Sequence, residues 1–368
     1  MRTALTPRVE IDLHKIRHNA SVLKKLYEKK GVQVTAVVKG VDASIEIAKT
    51  LVESGITSLA DTKISRLRRL KATRLNATLM LLRTPALSEV ASVVQVADIS
   101  MNTELDVIRA LANEAAKQQK KHSIILMVEM GDLREGVMPE DLPAMIEEVL
   151  KLPNIQLVGL GTNFACFGGV IPTEQKMCEF SSIVKQIQKR FSLFLPYVSG
   201  GNSANYHWVK QTKDVGTVNH IRLGESIFLG RETVNGTPIP GLYQDAFCLV
   251  AEVIEAKTKP SVPFGERGRN AFGETITFGD RGLIRRAIVG IGRQDVFVPG
   301  LTPLLPIDIL GASSDHIILD TKNIELKVGD EVKFNVDYGA LISLMTSPYV
   351  YKKYLPERSH YSKSRTSA

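Results

Sequence analysis

The sequence predicts an α/β fold in which a (β/α)8 barrel is followed by a C-terminal all-β domain. Three observations carry that reading. Short apolar runs rich in β-branched residues recur eight times in the first two thirds of the chain, amphipathic stretches of helical period separate them, and strands alone follow after about residue 241. The chain has 368 residues, 44% of them hydrophobic, which is enough for more than one core.

In order, the strands read VQVTAVVK (32–39), ITSLAD (56–61), TLMLLR (78–83), ADISMN (97–102), SIILMVEMG (123–131), IQLVGLGTNF (155–164), YVSGGNS (197–203) and HIRLGESIFLG (220–230). Helices are expected over SIEIAKTLVESG (44–55), TELDVIRALANEAAKQQ (103–119) and TEQKMCEFSSIVKQIQKRF (173–191). KISRLRRLKATR (63–74) sets Ile64, Leu67 and Leu70 at helical spacing, so its six basic residues fall on a solvated face. Eight strands in about 200 residues fit a closed barrel better than an open sheet. The turn KGVDAS after the first strand also lacks the G-x-G-x-x-G of an open doubly wound sheet. Beyond residue 241, DAFCLVAEVIEAKTK, RRAIVGIG, DHIILD and DEVKFNVD are joined by Gly- and Pro-rich connections with no convincing helix. The expected division is a barrel over 1–235, a β-domain over 236–351 and a basic, flexible tail over 352–368.

Composition excludes several classes. Three cysteines, Cys166, Cys178 and Cys248, make no disulfide framework, and the absence of C-x-x-C argues against structural zinc and for a reducing cytosol. No run of 18 apolar residues exists, and the start MRTALTPRVEIDLHKIRHN lacks a signal peptide's apolar core; a cytoplasmic protein without a membrane partner is expected. The net charge of +8 raises nucleic acid as a partner. Six of the positive charges belong to the amphipathic helix, however, and a net four to the tail Lys352–Ala368, neither of which resembles a nucleic-acid reader.

In a barrel of this kind the chemistry sits at the carboxyl ends of the strands. Those positions hold Lys39, Asp61, Arg83, Asn102, Arg134, Asn163 with Cys166, Ser203, and Arg222 with Gly224. A partly desolvated lysine at the mouth loses basicity and gains nucleophilicity, as a Schiff-base lysine requires, although a lone strand-end lysine that snorkels to water explains VVK as well. SGGNSA (199–204) and IRLGES (221–226) are strand-end turns that offer N–H groups and hydroxyls to an anion. Two such turns beside a strand-end lysine suggest pyridoxal 5'-phosphate.

Further landmarks turn this into a resemblance. VEIDLHKIRHNA (9–20), AVVKG, MGDLREG (130–136), GLGTNFA (159–165), NSA (202–204), IRLGES and VDYGAL (336–341) occur in one order along nearly the whole chain. They resemble the alanine racemase superfamily of fold-type III pyridoxal phosphate enzymes, with VEIDLHKIRHNA similar to its opening helix. MLLRTP, VSGGNS, IGRQD, LGASSDH and YGALISLMTSPYV look most like the ornithine racemase branch.

The resemblance implies an amino-acid racemase acting on ornithine or a related basic amino acid. Lys39 would hold the cofactor and serve as one base. Ser203, the N–H groups of Gly224 and Glu225, and the Tyr338 hydroxyl would hold its phosphate. Arg222 would face the pyridine nitrogen, and Arg134 the phenolic oxygen and the substrate carboxylate. A homodimer with shared active sites is also implied. Three departures stand out: the tyrosine four residues after the lysine is Ala43, the strand-six histidine is Asn163, and where the family's partner subunit supplies a catalytic tyrosine, PFGERGRNAFGE (263–274) offers only Phe264 or Phe272. The second acid/base is therefore assigned to His316 in LGASSDH, with Cys166 as the runner-up. For a distal ammonium, Asp61, Asp132, Glu135 and Glu225 stand as candidate carboxylates. Alternatives are a lyase or dehydratase of the same fold, and an alanine or broad-specificity racemase. No metal is expected, since none of the seven histidines has Cys or Asp two residues later.

Overall fold

The computed structural model describes residues 5–355. They form two compact units, one of residues 14–244 and one joining the residues before 14 to those from 245 onward. After a first strand, β1 (Arg8–Asp12), come β2 (Gln33–Val37), β3 (Ser58–Asp61), β4 (Thr78–Leu81), β5 (Ile99–Asn102), β6 (His122–Met127), β7 (Ile155–Gly161), β8 (Tyr197–Ser199) and β9 (His220–Leu223). β2 to β9 pair in sequence and β9 returns to β2, every neighbour parallel, which closes an eight-stranded barrel. All eight expected strands are present, although the eighth run ends as a strand at Leu223 and continues as a helix, Glu225–Leu229.

The barrel's core follows from these sequences. Val37, Ala60, Met80, Ile99, Met101, Ile125 and Met127, from five adjacent strands, form one buried cluster. Helices cover the outside, and capping hydroxyls set the starts of two of them. Ser44 accepts from the Ile47 N–H at the head of Ile45–Glu53, and Thr173 from the Lys176 N–H at the head of Glu174–Phe191. Among the described residues, no helix is long and apolar enough to cross a membrane.

The second unit adds to β1 the strands β10 (Phe247–Pro260), β11 (Leu283–Val289), β12 (Leu301–Pro303), β13 (Asp308–Ala312), β14 (Ile317–Asp320), β15 (Glu331–Val336) and β16 (Tyr351–Leu355). β10 is the spine: β1 and β15 flank its first half, and β11 pairs with its second. Four expectations are corrected here. Residues 8–12 are a strand and the opening helix begins only at Leu13, because Val9 and Ile11 alternate with polar residues and are both fully buried. Residues 236–244 belong with the barrel unit, where Asn19 bonds both the N–H and the C=O of Tyr243 at 2.8 Å. The β-domain does contain a helix, Tyr338–Thr346. Asp337 caps it, and buried Ala340, Leu341, Leu344 and Met345 keep helical spacing inside an apolar run interrupted by Ser343. Lys352 and Lys353, read as tail, lie in β16 parallel to β1. Lys353 reaches Glu10 at 3.1 Å and Lys352 donates to the Ser347 and Val350 carbonyls, so both are tied into the sheet. The rest of that tail, from residue 356, lies outside the described residues.

Arg8 joins β1 to β15 with a fork to Glu331, at 2.6 and 2.8 Å, and its Nε reaches Glu10 at 3.0 Å. Burial by itself would raise the Glu10 carboxyl, but hydrogen bonds from Lys353, Arg8 and Lys333 outweigh it and hold its pKa at about 2. A carboxylate held below its unfolded value stabilises the fold fully above the unfolded pKa, and that contribution disappears as pH falls through the folded pKa. The melting temperature is therefore expected to fall as pH is lowered from about 4.5 toward about 2. A Glu10→Gln variant should show a flatter acid limb that meets the wild-type curve at its low end. Parallel curves over that interval would remove Glu10 as the cause.

Candidate active site at the barrel mouth

Lys39 follows β2 in a short 3-10 turn, Lys39–Val41. Asp42 and Ala43 then take left-handed backbone angles, φ +51° and +48°, and swing the chain into the next helix. Arg66 locks this turn. Its Nε donates to Asp42 at 2.6 Å and its Nη1 to the Lys39 carbonyl at 3.3 Å, with Asp61 at 3.6 Å; Arg69 adds a bond to the other Asp42 oxygen at 2.8 Å. The helix Ile64–Ala72 does bury Leu67 and Leu70 as its spacing predicts, and half-buried Arg66 and exposed Arg69 both reach from it to the turn that carries Lys39. The Lys39 ammonium is partly buried and has no hydrogen bond or ion pair among the described residues. Burial lowers its pKa against the pull of Cys166; Arg134 adds to the lowering, and Asp61 and Glu135 resist it.

Arg134 is placed by the loop after β6. Glu129 accepts the N–H groups of Gly131 and Leu133 at 2.6 and 3.1 Å. Gly131 has φ +111°, and a Cβ on Gly136 would lie 2.5 Å from the Glu129 nitrogen, so both glycines of the Gly-x-x-Arg-x-Gly pattern are required by geometry. Asp132, almost fully buried, accepts the N–H groups of Cys166, Phe167 and Val170 at 3.0 to 3.3 Å and so ties this loop to the one after β7. With its carboxylate taken up in this way, Asp132 is not placed to receive a substrate ammonium. The same tie brings the Cys166 sulfur to 3.0 Å from Arg134 Nη1, while Glu135 pairs with the other side of the guanidinium at 2.6 Å.

Arg222, at the end of β9, is buried. Its Nη2 donates to the Thr162 carbonyl at 2.8 Å and its Nη1 to the Ser199 hydroxyl. Burial, and then the nearby Arg134, lower its pKa to about 9, which leaves it cationic at neutral pH. Asn163 accepts from Asn202 at 3.1 Å, while its Nδ2 and the Thr162 hydroxyl are buried without a hydrogen-bond partner among the described residues. Ser203 Oγ meets Ser226 Oγ at 3.0 Å and accepts the Ser226 N–H at 3.2 Å, which stitches together the two turns read as anion-binding. A Cβ on Gly224 would stand 3.1 Å from the Val37 carbonyl, so this turn lies against the strand that leads into Lys39.

Lys39, Arg134, Ser203, Arg222, Gly224 and Glu225 thus share one end of the barrel. Tyr338 and His316 lie in the β-rich unit. Tyr338 is the first residue of its helix, and His316 is exposed in the turn between β13 and β14, its Nδ1 3.2 Å from Ser313 Oγ. Arg83 pairs with Glu89 at 2.8 Å at the rim, and Asn102 is buried over Ser100. Arg66 was not legible as a site residue; Asp132 was read only as a candidate carboxylate for a distal ammonium, and Ser226 only as the last residue of the IRLGES turn.

Residues 11–232 match the family described as alanine racemase, N-terminal domain. The chain is also 43% identical to the ornithine racemase of Acetoanaerobium sticklandii, over 95% of this chain and 99% of that one. The chain belongs to the alanine racemase family. It is 37% identical to another relative, the lysine racemase of Thermotoga maritima, over 95% of this chain and 99% of that one. Among solved structures, an alanine racemase from Clostridium difficile 630 matches with a TM-score of 0.75 at 20% identity, covering 96% of this chain and 97% of that one. At that identity the likeness establishes the alanine racemase fold and nothing finer.

Proposed function

We propose that the protein is a pyridoxal phosphate-dependent racemase that interconverts the L and D forms of a basic amino acid, ornithine first and lysine second. The observation that carries this reading is the convergence of an unpaired lysine, a buried arginine and two stitched serine turns at one barrel mouth. The two relatives named for basic amino acids, each matched over nearly its whole length, support the substrate class.

The residues at the mouth fit the cofactor. Ser203 with the Gly224–Glu225 turn suits its phosphate, Lys39 its aldehyde, and Arg222 its ring nitrogen, with Tyr338 proposed as a further phosphate ligand. The partnerless Thr162 Oγ1 and Asn163 Nδ2 beside Arg222 are polar atoms that a bound group can satisfy. When bound, pyridoxal phosphate supplies the electron sink that makes the substrate's α-proton acidic. Everything else falls to the chain. The Lys39 amine, its basicity lowered by burial, takes or returns that proton. Arg134 presents a fork to the α-carboxylate, held in orientation by Glu135 and Cys166. Arg222, which does not give up its proton readily, keeps the ring nitrogen unprotonated and so favours return of the proton to the α-carbon.

Inversion needs a second proton donor, and His316 is proposed, in an active site shared between two copies of the chain. His316→Ala is expected to lower α-proton exchange from one enantiomer about 100-fold more than from the other. Equal loss from both would transfer the role to Cys166. The substrate class is tested by incubating the holoenzyme with L-ornithine, L-lysine, L-alanine and L-serine and resolving the products chirally. Racemisation fastest on ornithine is expected. Turnover of alanine alone would overturn the basic-substrate reading, and cleavage products in place of D-amino acid would point to a lyase.

A further inference from the structure

Beneath Arg222 runs a row of buried hydrogen bonds in which the mechanism above uses only the first member. Arg222 Nη1 donates to Ser199 Oγ, Ser199 Oγ lies 2.8 Å from His220 Nδ1, and His220 Nε2 lies 2.7 Å from Thr35 Oγ1. The four residues come from β8, β9 and β2, which are consecutive around the barrel, and all are buried. Tyr197 packs edge-on against the imidazole, its centroid 5.3 Å away.

The chemistry of each group fixes the sense of the row. A guanidinium only donates, so Ser199 must accept from Arg222, and its own proton is then free for His220 Nδ1. A neutral imidazole accepting there carries its proton on Nε2 and donates to Thr35. A charged imidazole would instead offer a proton to Ser199 as well, close to an existing cation. Burial, with Arg222 adding to it, lowers the His220 pKa to about 3, so the ring is neutral throughout the working range. Holding a polar ring in the barrel interior carries a desolvation cost that an aliphatic side chain avoids.

We propose that His220 is a positioning residue that acts through Ser199 to fix the plane of the Arg222 guanidinium toward the cofactor's ring nitrogen. This rests on the role given to Arg222 above. A second buried histidine provides the comparison. His122 bonds Ser100 at 2.8 Å, and Ser100 meets Asn102 at 2.9 Å, but this row reaches no guanidinium among the described residues, so the loss of His122 costs stability without reaching Arg222.

The test compares His220→Leu, His220→Gln, Ser199→Ala, His122→Leu and Arg222→Gln, each purified as the holoenzyme. The readouts are the absorption band of bound pyridoxal phosphate, the fraction of that colour lost per racemisation, the dissociation constant for the cofactor, and the melting temperature. His220→Leu and Ser199→Ala are expected to move the band and raise colour loss per turnover about 10-fold, with cofactor affinity changed far less. His220→Gln, which keeps a donor and an acceptor, should restore most of the wild-type behaviour. His122→Leu should lower the melting temperature without moving the band. Ser199→Ala removes a single oxygen, so it serves if His220→Leu does not fold. If Arg222→Gln moves the band while His220→Leu and Ser199→Ala behave like His122→Leu, the positioning role is refuted. If Arg222→Gln leaves the band unmoved, the placement of Arg222 itself is wrong.

Discussion

Replacing Lys39 by alanine is expected to lower racemisation by about 10⁴-fold or more and to leave the protein colourless in the presence of pyridoxal phosphate. Two roles are lost at once, the covalent hold on the cofactor and the base that moves the α-proton. The protein should nevertheless stay folded. The Lys39 ammonium has no hydrogen bond or ion pair among the described residues and is pushed toward its neutral form mainly by burial, so its removal relieves a desolvated charge. The melting temperature of the apo form should match or slightly exceed that of wild type. A small amine added to Lys39→Ala should restore a little turnover by taking over the proton. A variant that keeps a tenth of wild-type activity would remove Lys39 from the mechanism, and a sharp fall in apo stability would mean that the lysine has a structural role.

Asp132→Ala is expected to have the next largest effect, although Asp132 is not proposed to touch either substrate or cofactor. Its buried carboxylate receives three N–H groups of the loop that carries Cys166, and its backbone carbonyl takes the Gly168 N–H at 3.0 Å. Hydrogen bonds to a charged group contribute about 1.5–3 kcal/mol each, and donors left buried add their own desolvation, so a loss of about 3 kcal/mol is expected after partial relaxation. Activity should fall too, because Arg134 would lose its Cys166 contact and with it a fixed orientation. Asp132→Asn keeps one acceptor oxygen but sets an NH2 group against the remaining N–H donors, so it should fall between wild type and alanine. Thermal unfolding and kcat/KM read the two consequences separately. Unchanged values in both would mean that the loops are held by something else.

How much was legible divides along physical lines. The eight barrel strands could be read because a strand covered on both faces must be almost wholly apolar, and TAVVK, TLMLL and SIILMV are. Lys39, Arg134, Ser203 and Arg222 could be read because they stand where such runs stop. What escaped depends on neighbours remote in sequence. Arg66 looks like any charge on an amphipathic helix until Asp42 is seen beside it. His220 reads as the polar first residue of a strand, and only the closure of β9 onto β2 brings Thr35 to its other nitrogen. KKYL reads as basic tail because nothing nearby reveals that Glu10, over 340 residues earlier, will receive Lys353.

The pairing of β1 with β10 and β16 also orders events during synthesis. Residues 8–12 leave the ribosome well before the rest of their sheet: their antiparallel partner begins at Phe247 and their parallel partner ends at Leu355. At about 5–20 residues per second, every strand of the barrel is translated while β1 waits tens of seconds for its first neighbour. Val9 and Ile11, which end fully buried, spend that interval exposed. Nascent chains truncated after residue 244 should therefore carry a strand with one apolar face and nothing to pair with, the stage at which a chaperone has most to shield and a fused N-terminal tag most to disturb.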